Sequence, residues 1–253
     1  MLNTQRFHSP KNHSLYTRTV DGKKIYKSII TDGLLLYLDA NDSISYNRIT
    51  NDWYNLASSS SNMTMLNNPP LDINTPRNVL FNGLYHYGTS TGVTVPQTAY
   101  TKCVWFKLNS FNFTNNLVSS QVGGHFMFFA TTNKLYCGHT NWFSYGLNFA
   151  SYPSEQSFAL DTWYFATLTF DTTDGMKLYV NGELDSTFTS GGSWNKNAHG
   201  GNGSTDIASY GGSNLLNGAI SMVATYNRAL TASEVLENFE VTKRIFDITE
   251  YIS

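Results

Sequence analysis

Residues 161–187 read DTWYFATLTFDTTDGMKLYVNGELDST, and this stretch decides the fold class. Within it, the run Trp163–Phe170 alternates between two sets of aromatic, apolar and Thr positions, and Met176–Val180 follows as a second apolar run. A period of two that is rich in aromatic and β-branched residues is typical of strands. The Asn-Gly pair at 181 and 182 supplies the left-handed residues of a tight hairpin turn, after which Glu183–Thr187 forms a third run. The stretch therefore predicts a three-stranded meander and an antiparallel β fold.

Outward from this meander, the chain predicts further strands. Leu34–Leu38 is a continuous apolar run, as expected for a strand that is covered on both faces. Other candidates recur at intervals of about 8–12 residues with turn signals between them, which is the pattern of a β-sandwich. They are Val79–Gly83 paired with 85–87 around an Asn-Gly turn, Thr101–Leu108, Asn116–Gln121, His125–Thr131, Lys134–Cys137, Ser144–Asn148, Asp206–Ser209 and Ala219–Asn227.

One helix is predicted near the end of the chain. Thr231 and Glu234 have the spacing of a capping box, in which each side chain meets a free backbone N–H group of the first turn. The apolar positions that follow at helical spacing are Ala232, Val235, Leu236 and Phe239. We expect two to three turns, packed on the edge of the sandwich. The chain then divides into an extended arm (1–30), a β domain (31–242) and a C-terminal extension (243–253).

Charge is sparse and unevenly placed. Charged residues make up 13% of the 253 residues, about half of the usual roughly 25%, and this argues against electrostatic binding of nucleic acid. No apolar run is long enough to span a membrane, and residues 1–10 contain no signal-peptide core. Residues 1–30 carry six of the 16 Lys and Arg residues but one of the 18 acids, a net charge of +5 against −7 for the remainder. The basic residues of this arm are Arg6, Lys11, Arg18, Lys23, Lys24 and Lys27. The arm is either an anchor for an acidic partner surface or a solvated tail.

The two cysteines and six histidines suggest no cofactor or metal site. Cys103 and Cys137 both lie in strand-like contexts, so buried free thiols are favoured over a disulfide bridge. No zinc-binding spacing links the cysteines to histidines. His125 and His139 lie near predicted strands and are expected to be hydrogen-bonded polar residues.

Three separated stretches together resemble the laminin G-like, concanavalin A-like jelly-roll superfamily. They are GLLLYLDA at 33–40 with WYNL at 53–56, Trp163-Tyr with LYVNGE at 178–183, and LNGAIS at 216–221 with YNRALTASEV at 226–235. The resemblance implies two curved antiparallel sheets whose concave face or rim loops often bind glycans. The LYLDA and WYNL elements, with a closing KRIF at 243–246, are most similar to versions found in virion proteins of tailed bacteriophages.

Calcium is a feature of the family that this sequence does not support. The acidic pair that the family usually carries after the Phe-Asn-Gly turn is replaced here by Leu84-Tyr85-His86. Asp39, Asp42 and Asp206 are either calcium ligands or turn and capping residues.

The candidate site is a glycan-binding one. Retaining glycosidases carry two carboxylates about 5 Å apart, and no Glu of this chain belongs to such a strand cluster, so no catalytic residue is assigned. Two indoles lie in polar loops and could stack on sugars, Trp142 with Asn141 and Tyr145, and Trp194 with Asn195 and His199. Alternatively, both indoles cover the sandwich ends or lie in a subunit interface.

Three functions remain open from the sequence. The first is a non-catalytic structural or decoration protein on the surface of a phage particle. Its two terminal segments would contact other virion proteins, and the chain is expected to form a homo-oligomer or part of a larger assembly. The second is a lectin-like host-recognition module of a tail fibre or other surface protein. A glycoside hydrolase is the third.

Overall fold

The computed structural model describes residues 16–20, 23–47, 49–50, 52–57, 61–93, 95–96, 98–120, 125–140, 149–188 and 204–246. In chain order the strands are β1 (Tyr16–Val20), β2 (Lys23–Lys27), β3 (Leu34–Asp39), β4 (Tyr46–Asn47), β5 (Asp52–Trp53), β6 (Met63–Leu66), β7 (Leu71–Asp72), β8 (Asn78–Asn82), β9 (Tyr87–Ser90), β10 (Ala99–Leu108), β11 (Asn115–Asn116), β12 (Val118–Ser119), β13 (His125–Phe129), β14 (Leu135–Thr140), β15 (Phe149–Pro153), β16 (Tyr164–Asp171), β17 (Gly175–Val180), β18 (Glu183–Phe188), β19 (Thr205–Ile207) and β20 (Asn217–Tyr226). Helix α1 (Ala232–Thr242) and a 3₁₀ turn (Lys243–Ile245) follow.

The strands form a two-layered antiparallel sandwich. One layer is an eight-stranded sheet in the order β18-β17-β16-β10-β20-β8-β7, with β3 also paired to β20. The other layer consists of a four-stranded sheet, β11-β13-β14-β15, and a six-stranded sheet, β12-β19-β9-β6-β5-β4. Strands β11 and β12 are separated by one residue and belong to different sheets, so they join the two halves of this layer. The predicted all-β jelly-roll sandwich with one C-terminal helix is confirmed.

The predicted meander forms β16, β17 and β18 as three neighbouring strands of the eight-stranded sheet. Asn181 and Gly182 adopt positive φ angles of 52° and 82°, as a tight hairpin turn requires. At the preceding turn, Oδ1 of Asp171 accepts hydrogen bonds from the backbone N–H groups of Thr173 and Asp174, both at 2.7 Å. Local turn chemistry therefore determines the register of all three strands.

The central strand β10 is buried on both faces. Tyr100, Val104 and Phe106 point between the layers, whereas Cys103 and Trp105 belong to a second apolar cluster on the outer face of the eight-stranded sheet. Both thiols are free and buried, as favoured from the sequence. They lie on different faces, since Cys137 belongs to the cluster between the layers.

Helix α1 was expected on the edge of the sandwich, but it packs across the outer face of the eight-stranded sheet. Its predicted capping box is present. The predicted apolar face is only partly correct, because Leu236 is 44% exposed while Asn238 is 1% exposed. Asn238 is satisfied in the interior: its Oδ1 accepts from the backbone N–H of Ile30 at 2.8 Å, and its Nδ2 donates to the Tyr226 hydroxyl at 3.0 Å.

Two strand predictions differ from the structure, and a third falls outside the described residues. The strands on either side of the Asn82-Gly83 turn are not paired, because β8 belongs to the eight-stranded sheet and β9 to the six-stranded sheet. Oδ1 of Asn82 accepts from the N–H groups of Leu84 and Tyr85, at 3.0 and 3.1 Å, and this turn carries the chain between the layers. The run 116–121 divides between two sheets, and the predicted strand 144–148 lies outside the described residues. In the basic arm, β1 and β2 form a hairpin that was not predicted.

Candidate functional site

All six predicted glycan-binding residues, Asn141, Trp142, Tyr145, Trp194, Asn195 and His199, lie outside the described residues. The described strands nevertheless show where the two segments that carry them begin and end. Segment 141–148 connects β14 to β15, whose facing residues are Thr140 and Phe149. Segment 189–203 connects β18 to β19.

These four strand ends lie at the same end of the sandwich. The ring of Phe188, the last residue of β18, stacks on Tyr152 of β15 with centroids 4.3 Å apart. The hydroxyl of Ser204, just before β19, is 3.0 Å from that of Ser120. Ser120 in turn forms an isolated antiparallel β-bridge with His125. His125 pairs with His139, which lies one residue before the end of β14. We call this end, marked by Ser120, His125 and His139, the loop end.

A buried polar cluster lies inside the sandwich at the loop end. Its members are Tyr100, Lys102, His125, Cys137 and His139, each no more than 1% exposed. The Tyr100 hydroxyl is 3.1 Å from Nδ1 of His139, and Nζ of Lys102 donates to the Val118 carbonyl at 3.2 Å. Nζ of Lys102 also lies 5.5 Å from the centre of the Tyr100 ring. The sequence did not predict this cluster, because strand β10 is distant in the chain from the β13–β14 hairpin that supplies its other members.

Burial controls the protonation of this cluster. Desolvation lowers the pKa of Lys102 to about 7. Desolvation, followed by the positive charges of Lys102 and His139, holds the pKa of His125 well below its usual value. Burial also raises the pKa of the Cys137 thiol to about 12. The interior therefore favours uncharged side chains. Because these side chains are closed off from solvent, a dissolved substrate has no access to them in this conformation.

The described carboxylates considered as calcium ligands have structural roles. Asp39 accepts from the Tyr37 hydroxyl at 3.0 Å and the Asn41 N–H at 2.9 Å. Asp42 accepts from the N–H of Ile44 at 3.0 Å, and Asp206 from that of Gly211 at 2.9 Å. These contacts are those of turn and capping residues. Within the described ranges, no group of three or more His, Cys, Asp or Glu residues is arranged to hold a metal ion.

An open pocket of about 530 Å³ lies at the edge of the sandwich where the two layers part. It was not predicted, and we call it the edge pocket. Its lining includes Tyr46, Asn47 and Tyr54 around the β4–β5 hairpin, Ile44 and Ile49 beside them, and Leu71 of β7. Beside the pocket, Trp53 is completely buried next to Tyr46.

Comparison with protein families agrees with this architecture. The model of the concanavalin A-like lectin/glucanases superfamily matches residues 82–236. The chain belongs to this superfamily. A search of curated proteins found no match to this chain. No helix in the described ranges is both long and apolar enough to cross a membrane.

Solved structures with low sequence identity share the fold. The binding domain of botulinum neurotoxin serotype D has a TM-score of 0.63 at 14% identity, covering 84% of this chain and 53% of that one. A structure of botulinum neurotoxin type C, which interacts with two ganglioside molecules, has a TM-score of 0.60 at 14% identity, covering 83% and 51%. Trypanosoma rangeli sialidase has a TM-score of 0.59 at 17% identity, covering 92% and 36%. The chain thus spans about half of the neurotoxin chains and about a third of the sialidase chain.

Proposed function

We propose that this chain is a non-catalytic glycan-binding module on the surface of a tailed-phage particle. It binds glycans at the loop end through Trp142 and Trp194, and its terminal segments anchor it to other virion proteins. The observation that carries the proposal is the polarity of the sandwich. The two Trp-bearing segments begin and end at the loop end, whereas residues 33 to 30, read backwards, and helix α1 with Phe246 run towards the opposite end.

Positions along strand β10 show how far apart the two ends of the sandwich lie. Tyr100 contacts His139 at the loop end. Five residues later, about 17 Å along the strand at roughly 3.4 Å per residue, Trp105 stacks on Phe246 with centroids 3.8 Å apart. The C-terminal segment therefore leaves the sandwich far from the loop end.

The N-terminal segment runs in the same direction. The carbonyl of Gly33 accepts from the N–H of Asn227, just before α1, whereas the N–H of Ile30 bonds to Asn238 in the second half of that helix. Read backwards from residue 33, the arm therefore follows α1 towards its C-terminal end. A module held by its termini would present the loop end to the surroundings.

Further support comes from charge, family and chemistry. The superfamily includes lectins, and the resemblance to phage virion proteins, with a basic arm on an acidic body, favours a role in a particle. The described acids considered above serve turns and caps, which does not favour hydrolysis. A lectin-like host-recognition module of a tail fibre is the alternative, and it shares the same binding end.

Glycan binding is tested with Trp142→Ala and Trp194→Ala on a glycan array, followed by titration of the best ligand. Loss of one stacking indole should weaken binding about tenfold, which corresponds to about 1.4 kcal/mol. Tyr85→Ala is the matched control, since Tyr85 is a 51% exposed aromatic residue elsewhere on the surface. Unchanged binding in both Trp variants would contradict the proposed site.

The particle role is tested separately by mass spectrometry of purified phage particles. We expect the full chain in the particles and a variant lacking residues 1–27 to be lost from them. Particles that never contain this chain would refute the virion assignment and leave the glycan assignment standing.

A further inference from the structure

Several apolar side chains line the edge pocket, and those at its rim are exposed to solvent. Leu71 faces Val79 across β7 and β8 and forms part of the floor between the layers. At the rim, Ile44 is 63% exposed and Ile49 is 92% exposed. Adjacent exposed apolar groups around a concavity indicate an interaction site.

Three polar side chains of the pocket, Tyr46, Asn47 and Tyr54, already have partners within the chain. The Tyr46 hydroxyl donates to the Pro69 carbonyl at 2.7 Å. The Asn47 amide donates to the Tyr54 hydroxyl at 3.1 Å, and its Oδ1 accepts from the N–H of Ile49 at 2.9 Å. Because these groups are occupied, the pocket suits aliphatic or aromatic side chains of a polypeptide better than the hydroxyl groups of a sugar.

The surroundings of the pocket are acidic. Residues 39–72 contain four Asp and one Arg. Asp42 adjoins the lining residue Ser43, Asp52 faces the lining residue Asn47, and Asp72 follows Leu71. None of Asp42, Asp52 and Asp72 forms an ion pair with another described residue. A basic apolar segment would therefore complement the pocket in both charge and hydrophobicity.

Both layers end beside this pocket in a strand with an open edge. Strand β4 is the last strand of the six-stranded sheet, and β7 is the last of the eight-stranded sheet. An edge strand presents unpaired backbone donors and acceptors to which another strand can add.

The β1–β2 hairpin has the composition that this surface requires. It contains Arg18, Lys23, Lys24 and Lys27 together with Tyr16, Val20, Ile25 and Tyr26. It pairs with no other strand in the described part of the chain. Because an isolated two-stranded hairpin is at best marginally stable in water, it needs a surface to dock on.

The tether of the hairpin points to a second molecule. Ile29 is 4% exposed in the cluster on the outer face of the eight-stranded sheet, so Ser28 alone separates it from the end of β2. The hairpin is therefore fixed at its base on the outer face of that sheet, whereas the edge pocket opens between the layers on its inner face, and within the described part of its own chain the hairpin pairs with neither edge strand of the pocket. We infer that the basic β1–β2 hairpin of one copy docks in the acid-rimmed edge pocket of a second copy. This rests on the anchoring half of the proposed function and not on glycan binding.

The experiment measures self-association of the full chain by light scattering and analytical ultracentrifugation. We expect a dimer or larger assembly that dissociates as salt is raised. Ile49→Ser and Asp52→Lys should each raise the dissociation constant about tenfold or more, since they remove an apolar contact or reverse a charge without disturbing the core. The matched controls are Leu184→Ser and Glu183→Lys on the other edge of the eight-stranded sheet, at an exposed apolar and an exposed acidic residue. Both controls should associate like the unaltered chain.

Charge exchange assigns the contact directly. Lys23→Glu with Lys24→Glu should abolish association, and an equimolar mixture of that variant with Asp42→Lys/Asp52→Lys should restore it. A chain that stays monomeric at every concentration, or association that is indifferent to both pocket variants, would overturn the inference. Either result would leave glycan binding and particle attachment intact, because those are read from the array and from the particles.

Discussion

The two ends of β10 use the interior of the same sandwich in opposite ways. At the loop end, Tyr100 and Lys102 direct polar atoms into the core, where they meet His125 and His139. At the other end, Phe106 lies 5.6 Å from Phe129 between ring centroids. The aromatic end gains stability from packing, whereas the polar end gives some up, because burying an amine disfavours its charged form. Buried groups whose pKa is strongly shifted are found at functional sites of proteins more often than elsewhere.

The outer face of β10 strengthens this contrast. Trp105 stacks on Phe246, its ring lies 5.8 Å from Phe239, and its Nε1 donates to the Thr242 hydroxyl at 2.7 Å. This residue thus joins the sheet, the helix and the beginning of the C-terminal extension. The end of the sandwich opposite the loop end therefore contains stacked aromatic rings on the outer face of β10 as well as on its inner face.

The largest expected effect is that of Trp105→Ala. Removing a buried indole with its hydrogen bond should lower the free energy of unfolding by about 3–5 kcal/mol, measured by urea denaturation. Leu184→Ala, at a residue that is 56% exposed, serves as the control and should change stability by less than about 0.5 kcal/mol. A Trp105 variant as stable as the control would show that the aromatic end does not dominate stability.

The second largest expected effect is an increase in stability. Lys102→Met should raise the free energy of unfolding at pH 7 by roughly 3 kcal/mol, because Met avoids the desolvation that lowers the pKa of Lys102 to about 7. In the unaltered chain, stability should increase between pH 7 and about 9, since there the unfolded lysine binds a proton that the folded one has released. Above about pH 9 the thiols of Cys103 and Cys137 oppose this increase, because burial raises their pKa from 9.0 to about 12 and only the unfolded thiols ionise there. The variant should lack this increase. Equal pH dependence in the two proteins would contradict the assignment of Lys102 as a destabilising residue.

The smallest effect concerns the start of α1, which lies near the loop end. Glu234 accepts from Arg228 at 2.7 Å and from the N–H of Thr231 at 2.8 Å, and the bond from Arg228 is the main cause that lowers its pKa to about 2. Glu234→Gln should cost about 1 kcal/mol at pH 7. The depressed pKa implies that this contribution is present above about pH 4.5 and is lost as the pH falls towards 2, so the two proteins should converge in acid. A difference that persists at pH 2 would contradict this origin.

Features that depend on neighbours in sequence were predictable. The meander, the Asn181-Gly182 turn and the capping box of α1 each follow from residues within a few positions of one another, whose backbone preferences act locally. The strand at 34–39 was recognised as covered on both faces because its apolar run is unbroken.

Features that depend on distant residues were not predictable. Lys102 looks like an ordinary strand residue in the sequence, and its burial depends on residues of distant strands, such as Val118, Cys137 and His139, that surround its amine. Asn238 lies on the buried face of α1 because Tyr226 and Ile30 offer it hydrogen-bonding partners, so helical periodicity alone selected Leu236 wrongly. The strand pattern of the hairpin in the basic arm is weak, because charged residues interrupt its apolar alternation.

The sequence by itself determined the strands, the antiparallel sandwich and the uneven charge of this chain, since propensity, period and composition are local or additive properties. The tertiary structure alone decided which strands became neighbours. It brought the strand ends that flank the two Trp-bearing segments to one end of the sandwich and placed Ile30 and Phe246 towards the other, and it left an acidic, apolar pocket at an open edge. Such juxtapositions arise from packing between residues far apart in the chain, whose energies no single stretch contains.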